Sequence, residues 1–192
     1  MSDDIPATDG RDPAHVIEEA VAHALRLAQT WPAWDGRPIP ADDRVYTPHK
    51  AIRRLGDHLV DHLAELEARL AGQTPPPDHW HASAVTTPAD LAPFTGADLD
   101  EARSRLTRLA RIWSLRLGSL DDERLDRAEG DAWTLRQVAF HLGSTFYADA
   151  VGALAPDLTG DLAPDLTGVL APDLTGVLAP DLTGDLATGS GR

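Results

Sequence analysis

Residues 47–63 read Thr47-Pro48-His49-Lys50-Ala51-Ile52-Arg53-Arg54-Leu55-Gly56-Asp57-His58-Leu59-Val60-Asp61-His62-Leu63. Apolar residues recur at Ile52, Leu55, Leu59, Leu63, Leu66 and Leu70, three or four positions apart, until Gly72. That interval matches the 3.6-residue turn of an α-helix and conflicts with the period of two that a strand requires. Proline just inside the start and glycine just past the end mark the boundaries. On the N-terminal side, Ile17, Ala20, Val21, Ala24, Leu25 and Ala28 form a second such stripe behind an Asp12 N-cap and Pro13. On the C-terminal side, Asp98-x-x-Glu101 resembles a capping box ahead of Leu106, Leu109, Trp113, Leu117 and Leu120. A fourth helix is expected from Asp131 or Thr134, with Leu135, Val138, Leu142 and Phe146 inward.

Strand-like alternation is missing throughout, so the expected class is all-α. Residues 73–97, with Pro75-Pro76-Pro77, Pro88 and Pro93, read as a long crossover loop between two helical hairpins. The expected architecture over residues 13–152 is therefore a four-helix bundle of two helical hairpins. Residues 1–12 read as a flexible N-terminus. From Leu154 the motif Leu-Ala-Pro-Asp-Leu-Thr-Gly recurs at Leu162, Leu170 and Leu178, a period of eight. Pro and Gly in every copy forbid a continuous helix, and residues 153–192 are expected to form a disordered octapeptide-repeat tail.

The net charge of −14 opposes binding to phosphate backbones and anionic membranes. With no cysteine, thiolate nucleophiles, zinc fingers and iron–sulfur clusters are excluded, and His, Asp and Glu remain as metal ligands. The acidic opening residues lack an apolar run, and no stretch of about 18 apolar residues occurs, so the expectation is a cytoplasmic protein without a membrane partner. A small-molecule substrate is the expected partner, and a homodimer is among the assemblies left open.

His58 and His62 stand four residues apart and share one flank of their helix, with Glu65 three residues further along that flank. His141 has the same angular offset from its own leucine stripe that His58 has. Overlaying His58 on His141 places Ile52 on Leu135, Arg53 on Arg136, Leu55 on Val138, Leu59 on Leu142 and His62 on Thr145. The two hairpins look like diverged copies. If their flanks face one cleft, three imidazoles could hold Zn²⁺, Ni²⁺ or Fe²⁺ with positions left open for chemistry. The competing reading is a solvated histidine face beside Asp57 and Asp61. Glu65 and Asp149 are candidates to fix an imidazole tautomer, Asp149 being otherwise a last-turn residue. Arg53 and Arg136 are candidates to bind a carboxylate substrate, or else surface salt bridges. His79-Trp80-His81 could cover a cleft from the crossover loop, and Trp31, Trp34, Trp80, Trp113 and Trp133 are expected anchors of core or hairpin.

The segment Trp133-Thr134-Leu135-Arg136-Gln137-Val138 leading into His141-Leu142 resembles the DinB-like (DinB/YfiT) superfamily of four-helix metalloproteins, over about residues 13–152. That family includes mycothiol-dependent maleylpyruvate isomerases and bacillithiol transferases. The resemblance implies a divalent metal held by three histidines, one after the Trp-Thr-x-Arg segment and two spaced as His-x-x-x-His. His141 takes the single role, and His58 with His62 the paired role. The order departs from the family's, because here the pair comes first. The implied activity is thiol S-transfer or isomerisation of a small molecule, with mycothiol or another low-molecular-weight thiol as cofactor. A non-catalytic helical bundle for ligand binding or dimerisation, its histidine site vestigial, is the alternative.

Overall fold

The computed structural model describes residues 5–75 and 84–155, all within a unit spanning residues 1–161. The repeat tail from residue 156 onward and the His79-Trp80-His81 loop tip lie outside the described residues.

Helix α1 (Pro13–Ala28) starts as expected, with the Asp12 carboxylate accepting from the Ala14 amide at 2.9 Å and Pro13 in the first turn. Helix α2 (Pro48–Leu70) is capped by the Thr47 hydroxyl and stops before Gly72, whose φ of +68° suits a residue without a Cβ. Helix α3 (Gly96–Leu117) begins three residues earlier than expected. Its capping box joins Thr95 to Asp98 rather than Asp98 to Glu101, so Asp98 is the third helical residue and not the cap. A short α4 (Asp122–Leu125) follows, then α5 (Leu135–Leu142) and α6 (Phe146–Asp149).

The expected fourth helix is thus two pieces, broken at Gly143 and Ser144. A Cβ built on Gly143 would stand 2.1 Å from Cγ1 of Val16, so the end of α5 presses its backbone onto α1 where only glycine fits. The all-α expectation holds apart from one small two-stranded sheet. Strands β1 (Ile39–Ala41) and β2 (Arg44–Tyr46) pair antiparallel around Asp42-Asp43, with Asp42 at φ +53°. Three-residue strands are too short to show alternation, and Asp tolerates the left-handed conformation that such a turn needs.

The chain is nonetheless mostly helical, and the core is helix on helix. Helix α1 packs on α3, α5 and α6, and α2 packs on α3, α5 and α6. The close pairs run between the two expected hairpins rather than within them, since neither α1 with α2 nor α3 with α5 is among them. The connecting segments, residues 29–47 and 118–134, are long enough to cross from one helix to a non-neighbour. Fully buried Trp31 and Trp113 anchor the two sides. The Trp113 indole donates to the Leu59 carbonyl at 3.0 Å, tying α3 to the middle of α2. The Trp31 indole donates to the Gly152 carbonyl at 2.8 Å and so fastens the chain after α6 to the end of α1.

The inward face of α2 is rotated from the leucine stripe. Lys50, Ala51, Arg54, Leu55, His58, Leu59 and Leu66 are buried, whereas Ile52, Leu63 and Leu70 are only partly so. Lys50, the one lysine of the chain, donates to the Val45 carbonyl at 2.8 Å and the Thr86 hydroxyl at 3.0 Å, pinning the hairpin and the crossover loop to the start of α2.

Gly143→Ala should lower stability by about 1–3 kcal/mol through overpacking against a stiff valine. Gly56→Ala, whose new methyl would meet only Leu106 at 3.8 Å, should raise it by about 0.5–1 kcal/mol by removing a mid-helix glycine. Urea unfolding of the two variants beside the parent measures both signs.

Candidate metal centre

Two helices supply the site. On α2, His58 and His62 are one turn apart and their rings are 5.0 Å apart between centroids. On α5, the Thr134 hydroxyl caps the first turn and Gln137 returns the bond to the Thr134 amide at 2.8 Å, which fixes the helix start and places His141 in its last turn. The three imidazoles meet. One ligating atom from each of His58, His62 and His141 lies within 4.8 Å of the other two.

The shortest approach is between Nε2 of His58 and Nε2 of His141, 2.8 Å apart. Two nitrogens bound to one metal at about 2.0–2.1 Å would stand about 2.9–3.4 Å apart, so this pair has nearly the separation a shared cation needs. Bringing the third ring in from 4.8 Å requires a side-chain adjustment of about 1–2 Å, within the reach of small χ changes. The donor set, three neutral imidazoles, suits Zn²⁺, Ni²⁺ or Fe²⁺. The site thus fits a divalent ion.

The surroundings keep two of these rings uncharged. His58 is 7% exposed, and burial, together with the neighbouring His62, His141 and Arg54, pushes its pKa down to about 2. Burial and His62 push His141 down to about 4. Neutral rings present a lone pair, which metal binding demands. Without a metal, the His58–His141 contact needs a proton on one Nε2 and a lone pair on the other. His62 is oriented separately, since its Nδ1 lies 2.8 Å from Oε2 of Glu65. That bond holds the Glu65 carboxyl below the usual carboxylate range and directs Nε2 toward the cluster.

No family model, no curated protein and no solved structure matches this chain. The site is therefore read from its own geometry.

The other sequence candidates separate from the cluster. Asp149 pairs with Nε2 of His23 at 2.7 Å and accepts from the Thr145 hydroxyl, fastening α6 to α1 through an imidazole outside the cluster. Arg53 forks onto Asp90 at 2.9 and 2.8 Å, and that carboxylate is buried. Arg136 is held by Asp126 and Asp122, each at 2.7 Å. Both arginines are engaged by the chain's own carboxylates and hold the crossover loop and α4 in place. Glu65 alone of the four stands beside the imidazoles.

Residues outside the proposed ligand set complete the wall. The Trp133 ring lies 4.8 Å from that of His141 and Tyr147 lies 5.7 Å from His58, centroid to centroid. Arg54, fully buried one turn before His58, has its guanidinium 5.5 Å from the centre of the Tyr147 ring. Arg54 sits at i−4 from His58, a position whose burial becomes readable only once the inward face of α2 is known. Among the described residues, no helix is long and apolar enough to cross a membrane.

The depressed pKa values have a signed consequence. Unfolded histidine titrates near 6.5 and would take up protons before His58 or His141 does in the folded chain. The unfolded state is then favoured progressively as pH falls below about 6.5, through about 4 for His141 and toward about 2 for His58. The metal-free protein should show a lower urea midpoint at pH 5 than at pH 7.5, and His58→Gln should flatten that dependence. An equal slope in the variant would remove His58 from the account.

Proposed function

We propose that the chain is a DinB-like metalloprotein, an enzyme of thiol S-transferase or isomerase type that acts on a small molecule. The observation that carries the proposal is the convergence of His58, His62 and His141 from two helices, with ligating atoms within 4.8 Å. In this reading α1, α2 and α3 are three helices of a four-helix bundle, and α5 with α6 together make the fourth. The pairing of α1 and α2 each with α3 and with α5 supports it.

His58, His62 and His141 would hold a divalent ion, Zn, Ni or Fe. Bound there, such an ion would supply Lewis acidity, lowering the pKa of water or of a thiol such as mycothiol so that the nucleophile forms near neutral pH. The chain's own residues prepare the site. Burial keeps His58 and His141 unprotonated, Glu65 fixes the tautomer of His62, and Trp133 and Tyr147 shield the rings. The absence of cysteine means that a thiol in the reaction comes from a cofactor and not from the chain. The acidic net charge supports a neutral or cationic-face partner over nucleic acid or an anionic membrane. A cytoplasmic location and a homodimer are compatible with the same reading.

One observation favours the alternative of a non-catalytic bundle with a vestigial site. The 2.8 Å contact between His58 and His141 satisfies both rings without a cation. Metal content after expression with added zinc or nickel separates the two. The proposal expects about one ion per chain, and His141→Ala should reduce it at least about tenfold, since a helix pair alone offers two ligands. A parent protein that retains no ion after supplementation would favour the alternative.

A further inference from the structure

Arg69 lies on the last turn of α2, and its side chain is only 4% exposed. It has three partners at once. Nη1 donates to the Trp133 carbonyl at 2.9 Å and reaches Oε1 of Glu65 at 3.3 Å, while Nε donates to Oε2 of Glu129 at 2.9 Å. The two buried-side partners lead to different imidazoles. Glu65 bonds Nδ1 of His62 through its other oxygen at 2.8 Å. Trp133 places its indole 4.8 Å from the ring of His141 and immediately precedes the Thr134 cap of α5. Glu129 and Ala132 form an antiparallel bridge around Gly130, so the third bond holds the turn from which Trp133 emerges.

We infer that Arg69 is a positioning residue that couples His62 on α2 to His141 on α5, setting the relative placement of two candidate ligands through Glu65 on one side and Trp133 on the other. The inference rests on the metal-centre reading above for its functional meaning, though the chain of bonds itself does not. A guanidinium suits this role because its planar fork serves several acceptors at fixed angles and stays charged when buried. Without it, Glu65 would lose the contact that holds its carboxylate toward His62, and the start of α5 would lose its tie to α2. Partners behind metal-binding histidines typically change affinity by about 10–100-fold when removed. Lysine could neutralise Glu65 but could not also span to the Trp133 carbonyl and Glu129.

The test uses the full chain with cobalt(II) as probe, read by its visible absorption and by titrated affinity. Arg69→Gln should weaken cobalt binding by about 10–100-fold and shift the absorption bands, and Arg69→Lys should fall between it and the parent. Glu129→Gln keeps an acceptor for Arg69 Nε and removes only the charge, and should stay within about threefold of the parent. Phe94→Leu, destabilised where the buried ring packs edge-on against Trp31, controls for stability alone and should leave affinity unchanged. A second readout needs no metal: long-range proton–nitrogen spectra of the metal-free chain should show His62 protonated at Nδ1 in the parent and shifted toward the Nε2–H tautomer in Arg69→Gln. Parental cobalt affinity together with an unaltered His62 tautomer in Arg69→Gln would overturn the inference. If the parent binds no cobalt, the metal-centre reading fails by itself, and the tautomer comparison alone decides the role of Arg69.

Discussion

The contact between Nε2 of His58 and Nε2 of His141, 2.8 Å apart between α2 and α5, constrains the rest of this molecule. Two imidazoles can approach so closely only if at most one carries a proton at that edge, so the pair cannot be doubly charged, and metal binding by both asks that neither ring be charged. Burial does that, and burial in turn requires apolar helices on every side. Trp113 fixes α3 against Leu59, adjacent to His58 in sequence, and Gly143 lets α5 end directly against Val16 of α1. The helix packing and the neutral imidazoles are thus two aspects of one arrangement. A protein that only needed a core would gain more from leucine at position 58 than from a desolvated histidine.

The polar residues at the interior of α2 follow one logic along its length. Lys50 fixes the hairpin and loop at the first turn, Arg54 packs on Tyr147 in the middle, His58 and His62 face α5, and Arg69 grips the Glu129–Trp133 turn at the last turn. Each is one or two helical turns from the next, on the face turned toward other elements. Helix α2 therefore acts as a spine that carries polar contacts inward, while α1 contributes a wholly apolar buried face. Acid–base balance within the chain explains why Arg53 and Arg136 are not at the centre. Asp90 and Asp126 neutralise them locally, and each pair ties down a connecting segment.

Much of the helical framework was legible in the sequence because it depends on local signals. Asp12, Thr47, Pro13, Pro48 and Gly72 act within one turn of themselves, and periodic leucine reports a helix wherever it folds. Features set by contacts distant in sequence were not legible. The close approach of Gly143 is to Val16, more than a hundred residues earlier, and the rotated inward face of α2 comes from buried Lys50, Arg54 and His58, which an apolar pattern does not count. The cap of α3 was misplaced because Thr95-x-x-Asp98 and Asp98-x-x-Glu101 overlap, and only backbone hydrogen bonds choose between them. For the site, spacing gave equal angular offsets for His58 and His141 but no distance between them. Glu65 was readable at i+3 from His62, whereas Arg69, Trp133 and Tyr147 join the cluster only through tertiary placement.

The account stands most directly on whether three imidazoles of this chain bind one ion together. X-ray absorption of the zinc-loaded protein reads that coordination shell. It should show three imidazole nitrogens at about 2.0–2.1 Å, with the imidazole scattering reduced to two in His141→Ala. A shell of one or two imidazoles in the parent, unchanged by that substitution, would contradict it.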